Sequence, residues 1–393
     1  MNSTCSFVPR DFLARSTRRQ SLGEGTFGTV TLYDTPDGPR VVKETKLQDK
    51  SLGYPPDFLN EIDMLIKLKP VKSVVTLHSF CFDNEQKRGY ILLEPLECNL
   101  AKWARRTSFE ERMRQIPNLI TAIGGALGVM HYFNLLHNDI KTNNILVNTV
   151  DGETIFKLAD FGKSYHVTRH DLQYGGIDRY SPPEDRDVFS SELWAFMVCL
   201  IEVIIGGHKM ISGEDSSSFY SRYTSISSRG KCRFDLPRFL RSRLSNDEIE
   251  LIPRSFWIFI EPIIRYRQIT MAGALARIGM SLNSNVIHNV DRLISKSSPT
   301  QYDFRTVEKR FRRKFHELGM MDRFDRFSKL MNKFLSLSYQ SLQTIDLLQY
   351  AEVAFIIVGK KKVKNFTYFK DQDSLLLYER SFLMTIGYQI YIL

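Results

Sequence analysis

Two short segments near the middle of the chain carry side chains suited to phosphate and metal chemistry. The run LLHNDIKTNNILV (135–147) contains an aspartate, a lysine and an asparagine, and a DFG triplet follows it. In this pattern Asp139 would accept a proton from a hydroxyl, and Lys141 would lie beside the transferred phosphoryl group. Asn144 and Asp160 would hold Mg²⁺, because a hard dication prefers oxygen ligands. The spacing therefore predicts phosphoryl transfer to a hydroxyl.

A glycine-rich run near the N-terminus could bind the phosphates. Gly23, Gly25 and Gly28 form a GxGxxGxV pattern between two strand-like segments. Glycines let backbone amides close over triphosphate oxygens where a Cβ would obstruct them. We assign ATP binding to these glycines, with Leu22 and Val30 as flanking contacts. Glycine turns between strands are common, so this prediction depends on the motifs that follow it in order.

A lysine and a glutamate complete the set. Lys43 lies in the strand-like run RVVKE, where its ammonium group can neutralise the α and β phosphates. Glu61 lies in DFLNEIDMLIKL (57–68), whose apolar residues recur at helical spacing after two prolines and a capping Asp57. We expect Glu61 to hold Lys43 in position. Taken singly, each would be an ordinary solvated side chain, and the ordered set makes chance implausible.

Length and composition limit which elements can carry these residues. The chain has 393 residues, 43% hydrophobic and 25% charged, which is typical of globular proteins with more than one core. The net charge of +10 suits anionic partners without selecting one. Five scattered cysteines argue against a disulfide framework or a zinc site and favour a reducing, intracellular compartment. The apolar runs 193–205 and 347–358 are too short to span a bilayer, so no membrane partner is expected.

The residue patterns divide the chain into segments. Residues 20–100 show short β-rich runs with one helix, and 110–280 are mostly helical with strand candidates at 145–148 and 156–160. A Ser-rich stretch over 213–230 resembles a surface insertion. The predicted domains are listed here: an N-terminal tail over 1–16, a β-rich N-lobe over 17–96, a helical C-lobe over 97–283, a polar linker over 284–303, and a helical module over 304–393.

Together these motifs resemble the eukaryotic-type protein kinases over residues 17–283. This resemblance implies an α+β, two-lobe kinase fold, and Lys141, two residues after the aspartate, matches the serine/threonine pattern. The closer resemblance is to the cyclin-dependent kinases, because GYPPDFLNEIDMLIKL (53–68) is similar to their cyclin-binding helix and EPLECNLAKW (94–103) to their hinge. By that resemblance the backbones of Glu94 and Leu96 bind adenine.

The departures from that family predict altered control. The phosphorylatable threonine of the activation segment is replaced by Leu172, and the three arginines that would grip its phosphate are replaced by Asn60, Asn138 and Tyr165. Because the arginines that would bind the phosphate and the threonine that would carry it are missing together, we expect an activation segment that is ordered without phosphorylation. The inhibitory tyrosine of the glycine loop is Phe27, which has no hydroxyl.

Other departures concern catalysis. Ile177 replaces a threonine that bridges the catalytic aspartate and lysine, and Glu192 replaces an aspartate that braces the catalytic loop. Glu184, in the PPE run that closes the segment, should pair with an arginine, and both Arg265 and Arg267 are candidates. Every metal and base position is intact, so we expect catalysis of modest strength.

The C-terminal module resembles a cyclin box. NKFLS, AEVAFIIVGKK and YERSFLMTIGYQI are similar to three segments of that fold. By that resemblance Lys360 and Glu379 match the cyclin residues that contact the kinase. The fold class is thus a two-lobe kinase followed by a small all-α cyclin-like domain. The alternative is an all-helical extension of the C-lobe.

The function expected from the sequence is that of a serine/threonine protein kinase that uses ATP and Mg²⁺ and is activated in cis by its tail. The alternative is a weakly active or inactive kinase-like scaffold whose tail binds another cyclin-dependent kinase in trans. Protein substrates with serine or threonine are implied, host cell-cycle proteins are possible partners, and no nucleic-acid partner is expected. Missing phosphosites and a fused activator suggest a viral or parasite protein acting in the cytoplasm or nucleus of a host.

Overall fold

The computed structural model describes most of the first three quarters of the chain. The described residues divide into two compact units. The first comprises the described parts of 1–67, 76–95 and 290–393, and the second comprises those of 68–75 and 96–289. The described ranges are 6–7, 15–25, 28–45, 56–83, 88–167, 178–184, 186–213, 215–226, 232–266, 268–296, 311–313 and 315–316.

The first unit contains a six-stranded sheet with the order β1-β5-β6-β4-β3-β2. All neighbouring strands are antiparallel except β1 and β5, which are parallel. The sheet confirms the β-rich N-lobe expected from the sequence. Its strands are β1 (Ser6–Phe7), β2 (Thr17–Gly25), β3 (Gly28–Thr35), β4 (Gly38–Thr45), β5 (Leu77–Asp83) and β6 (Arg88–Leu93).

One helix of this unit, α1, spans Pro56–Lys67 and confirms the helix predicted over 57–68. Asp57 lies in its first turn and Lys67 in its last, which complements the helix dipole. Ile62 and Met64 are fully buried, and Leu65 is 1% exposed. Glu61 is itself buried on this helix, at 2% exposure, so its carboxylate is placed among packed side chains.

The second unit is mostly helical. Its longest helix, α5, is buried along nearly its whole length, which explains why the run LWAFMVCLIEVI is apolar except for Glu202. Several of the other helices pack against it. The helices are α2 (Leu100–Arg106), α3 (Phe109–Leu119), α4 (Gly125–Tyr132), α5 (Val188–Ile204), α6 (Ser216–Arg222), α7 (Leu236–Arg241), α8 (Asn246–Glu250), α9 (Arg254–Arg265) and α10 (Met271–Ala276). Helix α11 (Ser284–Lys296) begins in the second unit, and its residues from Val290 on are assigned to the first unit.

Short strands in the second unit flank the segments that carry the motif residues. The strands are β7 (Cys98–Asn99), β8 (Leu135–Leu136), β9 (Ile145–Val150), β10 (Glu153–Leu158), β11 (Tyr165–His166), β12 (Thr224–Ile226) and β13 (Cys232–Phe234). Strand β9 pairs with β7 and β10, β8 pairs with β11, and β12 pairs with β13. The segment 137–144 therefore begins just after β8 and ends where β9 begins, and Asp160 follows β10.

Three segments differ from their sequence predictions. The polar linker predicted over 284–303 begins with helix α11, in which Val286, Ile287 and Val290 recur at helical spacing and Val290 is fully buried. The predicted N-terminal tail includes β1, which pairs with Ser79 and Phe80 of β5. Polar composition concealed the first segment, and short length concealed the second.

The Ser-rich stretch over 213–230 also differs from a bare surface insertion. Asp215 caps helix α6 by accepting a hydrogen bond from the backbone N–H of Ser218 at 2.9 Å. Phe219 and Tyr220 of this helix are buried and contact Phe234 and Phe239 edge-on or tilted. An aromatic cluster therefore anchors this stretch to the second unit.

Little of the predicted cyclin-like module falls within the described residues. Phe311 and Phe315 lie in described helical pieces and are almost completely buried. Lys360 and Glu379 lie outside the described residues. Among the described helices, none is both long and apolar enough to cross a bilayer.

Candidate active site

The lysine and glutamate identified in the sequence meet in the first unit. Lys43 lies in β4 opposite Val30 of β3 and Ile91 of β6. Its Nζ lies 2.6 Å from Oε2 of Glu61, and the glutamate side chain is only 3% exposed. The expected ion pair is thus present. It holds an ammonium group at the inner strands of the sheet, where a charge without a partner would be costly.

The glycines of the phosphate loop differ in what they tolerate. Gly28 has a φ of 153°, and a Cβ built there would overlap the carbonyl oxygen of Glu44. A Cβ built at Gly23 would have no other atom within 4 Å among the described residues. Gly25 pairs with Gly28 across the turn, Leu22 is 47% exposed, and Val30 is half-buried. Gly28 is therefore required by the hairpin itself, and Gly23 is not.

In the second unit three nitrogen donors surround the carboxylate of Asp139, which is 3% exposed. Lys141 Nζ lies 2.7 Å from Oδ2, and Asn144 Nδ2 lies 3.0 Å from the same oxygen. Lys163 Nζ lies 3.4 Å from Oδ1. The aspartate and lysine predicted to act on the phosphoryl group are therefore adjacent.

These donors keep Asp139 ionised. Burial alone would raise its pKa, but the hydrogen bond and charge of Lys141, the charge of Lys163 and the amide of Asn144 outweigh burial. Together they hold the pKa of Asp139 below its ordinary value. A carboxylate that stays ionised and oriented can accept a hydrogen bond from an incoming hydroxyl.

Two residues fit the oxygen donors that Mg²⁺ requires. Both donated hydrogen bonds of the Asn144 amide go to Asp139, at its main-chain oxygen and at Oδ2, so its own Oδ1 points away from Asp139. The backbone N–H of Ala159 donates to the carbonyl of Asn144, and Asp160 follows with a φ of 67°. Amide and carboxylate oxygens suit Mg²⁺ when phosphate oxygens and water complete its shell. Across the described residues no cluster of three or more His, Cys, Asp or Glu side chains could hold a metal.

Glu192 supports the predicted catalytic loop (residues 137–144), although it replaces the aspartate expected at this position. It is fully buried on α5, and its Oε1 accepts the backbone N–H of Asn138 at 2.7 Å. Its Oε2 accepts the Nε2–H of His131 at 2.8 Å. Asn138 has a φ of 62°, a conformation that asparagine adopts at low cost. The asparagine of HND is therefore compatible with the backbone at this position.

The neighbouring histidine is a neutral support. Burial lowers the pKa of His137, which is completely buried. Its Nε2–H donates to the carbonyl of Ala159 at 3.0 Å. The ring also packs against Phe161 with centroids 4.9 Å apart. His137 thus ties the catalytic loop to the segment that carries Asp160.

A second buried carboxylate lies below the loop. Glu202 accepts hydrogen bonds from the hydroxyls of Thr142 at 2.9 Å and Tyr180 at 2.7 Å. It also accepts the backbone N–H of Met210 at 3.3 Å. Burial raises the pKa of Glu202, and these donors act against that rise. The network links the catalytic loop to the residues before Pro182.

One partner of Glu184 is nearer in sequence than the two predicted arginines. Arg186 Nη2 lies 2.6 Å from Glu184 Oε1, and Arg186 Nη1 donates to the carbonyls of Ile263 and Tyr266. Arg265 instead pairs with Glu261 at 2.9 Å on its own helix. Arg267 lies outside the described residues. Sequence spacing missed Arg186, although its position two residues after the PPE run was a usable signal.

The hinge residues lie at the predicted positions. The backbone N–H of Glu94 donates to the carbonyl of Thr76, and the Glu94 carboxylate accepts the N–H of Thr76. Leu96 is half-buried, and within the described residues nothing is hydrogen-bonded to its backbone. Its N–H can therefore donate to the edge of a planar ligand, and its C=O can accept from it, without the loss of another hydrogen bond.

The residues at the positions of the missing arginines carry no charge. Asn60 is 3% exposed on α1, and Tyr165 is 2% exposed on β11. Asn138 Nδ2 donates to the carbonyl of Lys163 at 3.4 Å. Leu172 and Ile177 lie outside the described residues. Lys163 is the site residue that sequence analysis missed, and a cation directly after DFG was the available signal.

The chain is similar to known protein kinases. The protein kinase domain model matches residues 16–266. Cyclin-dependent kinase 1 of Encephalitozoon cuniculi is 31% identical over 148 residues, which cover 36% of this chain and 48% of that protein. Cell division control protein 2 homolog 1 of Trypanosoma brucei brucei is 30% identical over 151 residues, or 38% and 48% of the two chains.

A plant relative extends the comparison to another branch. A G-type lectin S-receptor-like serine/threonine-protein kinase of Arabidopsis thaliana is 29% identical over 206 residues, which cover 48% of this chain and 23% of that protein. The alignments thus span less than half the length of each of these three relatives.

Proposed function

Because the chain belongs to the protein kinase family, we propose that it transfers the γ-phosphoryl group of ATP to serine and threonine hydroxyls of proteins. The observation that carries this proposal is the buried carboxylate of Asp139, with Lys141 and Asn144 on one oxygen and Lys163 near the other. A purely structural aspartate would not need three polar donors on a loop that also presents Asn144 and Asp160. The printed name of the plant relative, a serine/threonine-protein kinase, supports the serine/threonine class.

The mechanism assigns one task to each residue. Asp139 orients the acceptor hydroxyl and accepts its proton, while Lys141 offsets charge on the moving phosphoryl group. Asn144 and Asp160 would hold Mg²⁺, which supplies a Lewis acid to the phosphate oxygens. Lys43, positioned by Glu61, binds the α and β phosphates. Most of the rate enhancement then comes from positioning and fixed charge.

The remaining nucleotide contacts come from the backbone. The amides around Gly23, Gly25 and Gly28 would cover the phosphates, with Leu22 and Val30 against the nucleoside. Glu94 and Leu96 would offer main-chain atoms to adenine. This assignment is supported by the hairpin geometry at Gly28 and by the unengaged backbone of Leu96.

The test is transfer of radiolabelled phosphate from ATP to histone H1 and to a panel of peptides. Asp139→Asn serves as the blank, because it keeps the side-chain shape and removes the base. We expect wild-type transfer to serine or threonine that the variant lowers by about a thousandfold or more. Nucleotide binding should persist in the variant. Wild-type transfer equal to that blank would refute the proposed activity.

We further propose that the C-terminal region activates the kinase in cis. Support comes from the buried Phe311 and Phe315, which belong to the same compact unit as helix α1. A covalent tether gives such a segment an effective concentration of about a millimolar. Lys360 and Glu379 are the proposed contacts of a cyclin-like module over 304–393.

The test of this proposal must leave helix α11 intact. A chain ending after Lys296 keeps the whole helix, and Lys360→Glu with Glu379→Lys reverses both proposed contacts in the full chain. Loss of transfer in both forms would support activation in cis. Full activity in the truncated chain would refute it. Capture of another cyclin-dependent kinase by the full chain, without transfer of its own, would favour the scaffold alternative.

Independence from activation-loop phosphorylation is a separate proposal. It rests on uncharged residues at the three phosphate-gripping positions, Asn60, Asn138 and Tyr165. Protein treated with phosphatase should keep its full rate of transfer, measured beside untreated protein. We also propose that the kinase domain spans 17–283 and that the protein acts inside cells, in the cytoplasm or nucleus, on partners that include cell-cycle proteins.

A further inference from the structure

A second lysine faces the proposed base from the opposite side. Lys163 follows Asp160-Phe161-Gly162 directly, and its Nζ lies 3.4 Å from Oδ1 of Asp139. The lysine side chain is 35% exposed, whereas the aspartate is 3% exposed. One end of this ion pair is therefore fixed and desolvated, and the other end reaches the surface. Removing one partner of a buried charge is more costly than breaking an exposed surface pair, because the remaining charge is left desolvated and unpaired.

The backbone around Lys163 is held against the catalytic loop. Asn138 Nδ2 donates to the carbonyl of Lys163 at 3.4 Å, and the buried hydroxyl of Ser164 donates to the carbonyl of His137 at 3.3 Å. The next two residues, Tyr165 and His166, pair with β8. These contacts fix the Cα of Lys163 relative to Asp139, so the approach of the ammonium group follows from the local fold.

The two oxygens of Asp139 have different surroundings. Oδ2 already accepts hydrogen bonds from Lys141 at 2.7 Å and from Asn144 at 3.0 Å. Among the described residues, Oδ1 has one polar neighbour, the ammonium of Lys163 at the longer distance of 3.4 Å. Oδ1 is therefore the oxygen with capacity for an acceptor hydroxyl. The ammonium lies where it can orient that oxygen without displacing the hydroxyl.

We propose that Lys163 is a positioning residue that fixes Oδ1 of Asp139 for the acceptor hydroxyl. This inference rests on the proposed kinase function and adds a residue to it. Lys163 acts through Asp139, because its ammonium group contacts that carboxylate. Its loss should leave ATP binding intact and lower the rate of the transfer step.

The test compares Lys163→Met with Lys163→Arg in the full chain. Methionine keeps the length and apolar stem of the side chain and removes the charge, whereas arginine keeps the charge. We expect Lys163→Met to lower kcat by roughly ten- to a hundredfold with the KM for ATP within about twofold, since small misplacements of a reacting group have effects of this size. Lys163→Arg should restore most of kcat. Lys209→Met, at an exposed lysine of the second unit, is the matched control and should change neither parameter.

Each other result contradicts the inference in a recognisable way. An unchanged kcat in Lys163→Met would show that the contact does not position the base, and a raised kcat would show that Lys163 restrains it. A fall in kcat that Lys163→Arg does not rescue, together with a lower Tm, would indicate a structural role only. Failure of the kinase proposal is distinguishable, because wild type itself would then transfer no more than Asp139→Asn.

Discussion

Replacing Glu192 by aspartate would restore the residue expected from the cyclin-dependent kinase resemblance, and the structure predicts that it damages this protein. Glu192 is fully buried and joins two donors, the N–H of Asn138 at 2.7 Å and the Nε2–H of His131 at 2.8 Å. Aspartate is shorter by one carbon–carbon bond, about 1.5 Å. From the same backbone position its carboxylate does not reach both donors within hydrogen-bond distance.

The magnitude follows from the groups left behind. A buried N–H without an acceptor costs about 1–3 kcal/mol, and the missing methylene adds about 1 kcal/mol through lost packing. We therefore expect Glu192→Asp to lower the free energy of unfolding by about 3 kcal/mol. For a unit of this size that corresponds to a fall in Tm of roughly 6–12 °C. Because Asn138 adjoins Asp139, kcat should fall as well.

Intrinsic fluorescence can measure this change selectively. The three tryptophans of the chain, Trp103, Trp194 and Trp257, all lie in the second unit, and Trp194 is two residues from Glu192. Urea denaturation followed by tryptophan emission therefore reports on the unit that contains the substitution. Transfer of radiolabelled phosphate to histone H1 gives kcat for the same preparation.

The control is Glu250→Asp, the same chemical change at an exposed position on α8. It should alter the free energy of unfolding by no more than about 0.5 kcal/mol. If Glu192→Asp proved as stable as wild type, the catalytic loop would have to move to meet the shorter side chain. The argument from reach would then be refuted.

Three further predictions concern the loop, the ion pair and the buried carboxylate. Gly28→Ala should lower the melting temperature measured by circular dichroism, because its Cβ has no space, while Gly23→Ala should stay within about 0.5 kcal/mol of wild type. Equal effects of the two would contradict the difference in backbone environment. Glu61→Gln should lower kcat/KM for ATP by roughly 5- to 150-fold, because Lys43 loses a charged hydrogen bond worth about 1–3 kcal/mol. An unchanged kcat/KM would show that the ion pair is not needed for the use of ATP. The raised pKa of Glu202 means that this group contributes stability at pH values below its unfolded pKa and that the contribution is lost as the pH rises through the folded pKa. The destabilisation caused by Glu202→Gln, measured by urea denaturation at acid, neutral and mildly alkaline pH, should therefore shrink as the pH rises, and a constant difference would contradict that sign.

The motif residues could be predicted because each motif is a short stretch of particular residue types, and the motifs follow one another in a fixed order along the chain. Helix α1 follows from apolar spacing and two preceding prolines, and strands β9 and β10 follow from short apolar runs. These patterns depend on residues close together in the sequence, so they can be recognised without knowledge of the fold. The helix α11 and the aromatic cluster around α6 were missed, because polar residues dominate their composition and only packing reveals the buried minority.

The departures from the family pattern show where sequence comparison loses power. A glutamate in place of a bracing aspartate suggested weakened support, yet in the fold Glu192 accepts bonds from both Asn138 and His131. The partner of Glu184 was sought near 265–268, whereas Arg186 supplies a pair. In both cases a side chain reached a partner that sequence distance did not indicate.

The amino-acid sequence by itself indicated the protein kinase family, because the residues expected to handle ATP, Mg²⁺ and a hydroxyl must be of particular types in a particular order. Only the tertiary structure decided which of two oxygens on Asp139 is engaged by Lys141 and which faces Lys163. It likewise decided that Gly28 is required by the hairpin and Gly23 is not. The physical reason is that hydrogen bonds and steric overlap act over a few ångströms in space, and the chain brings together residues separated by many positions.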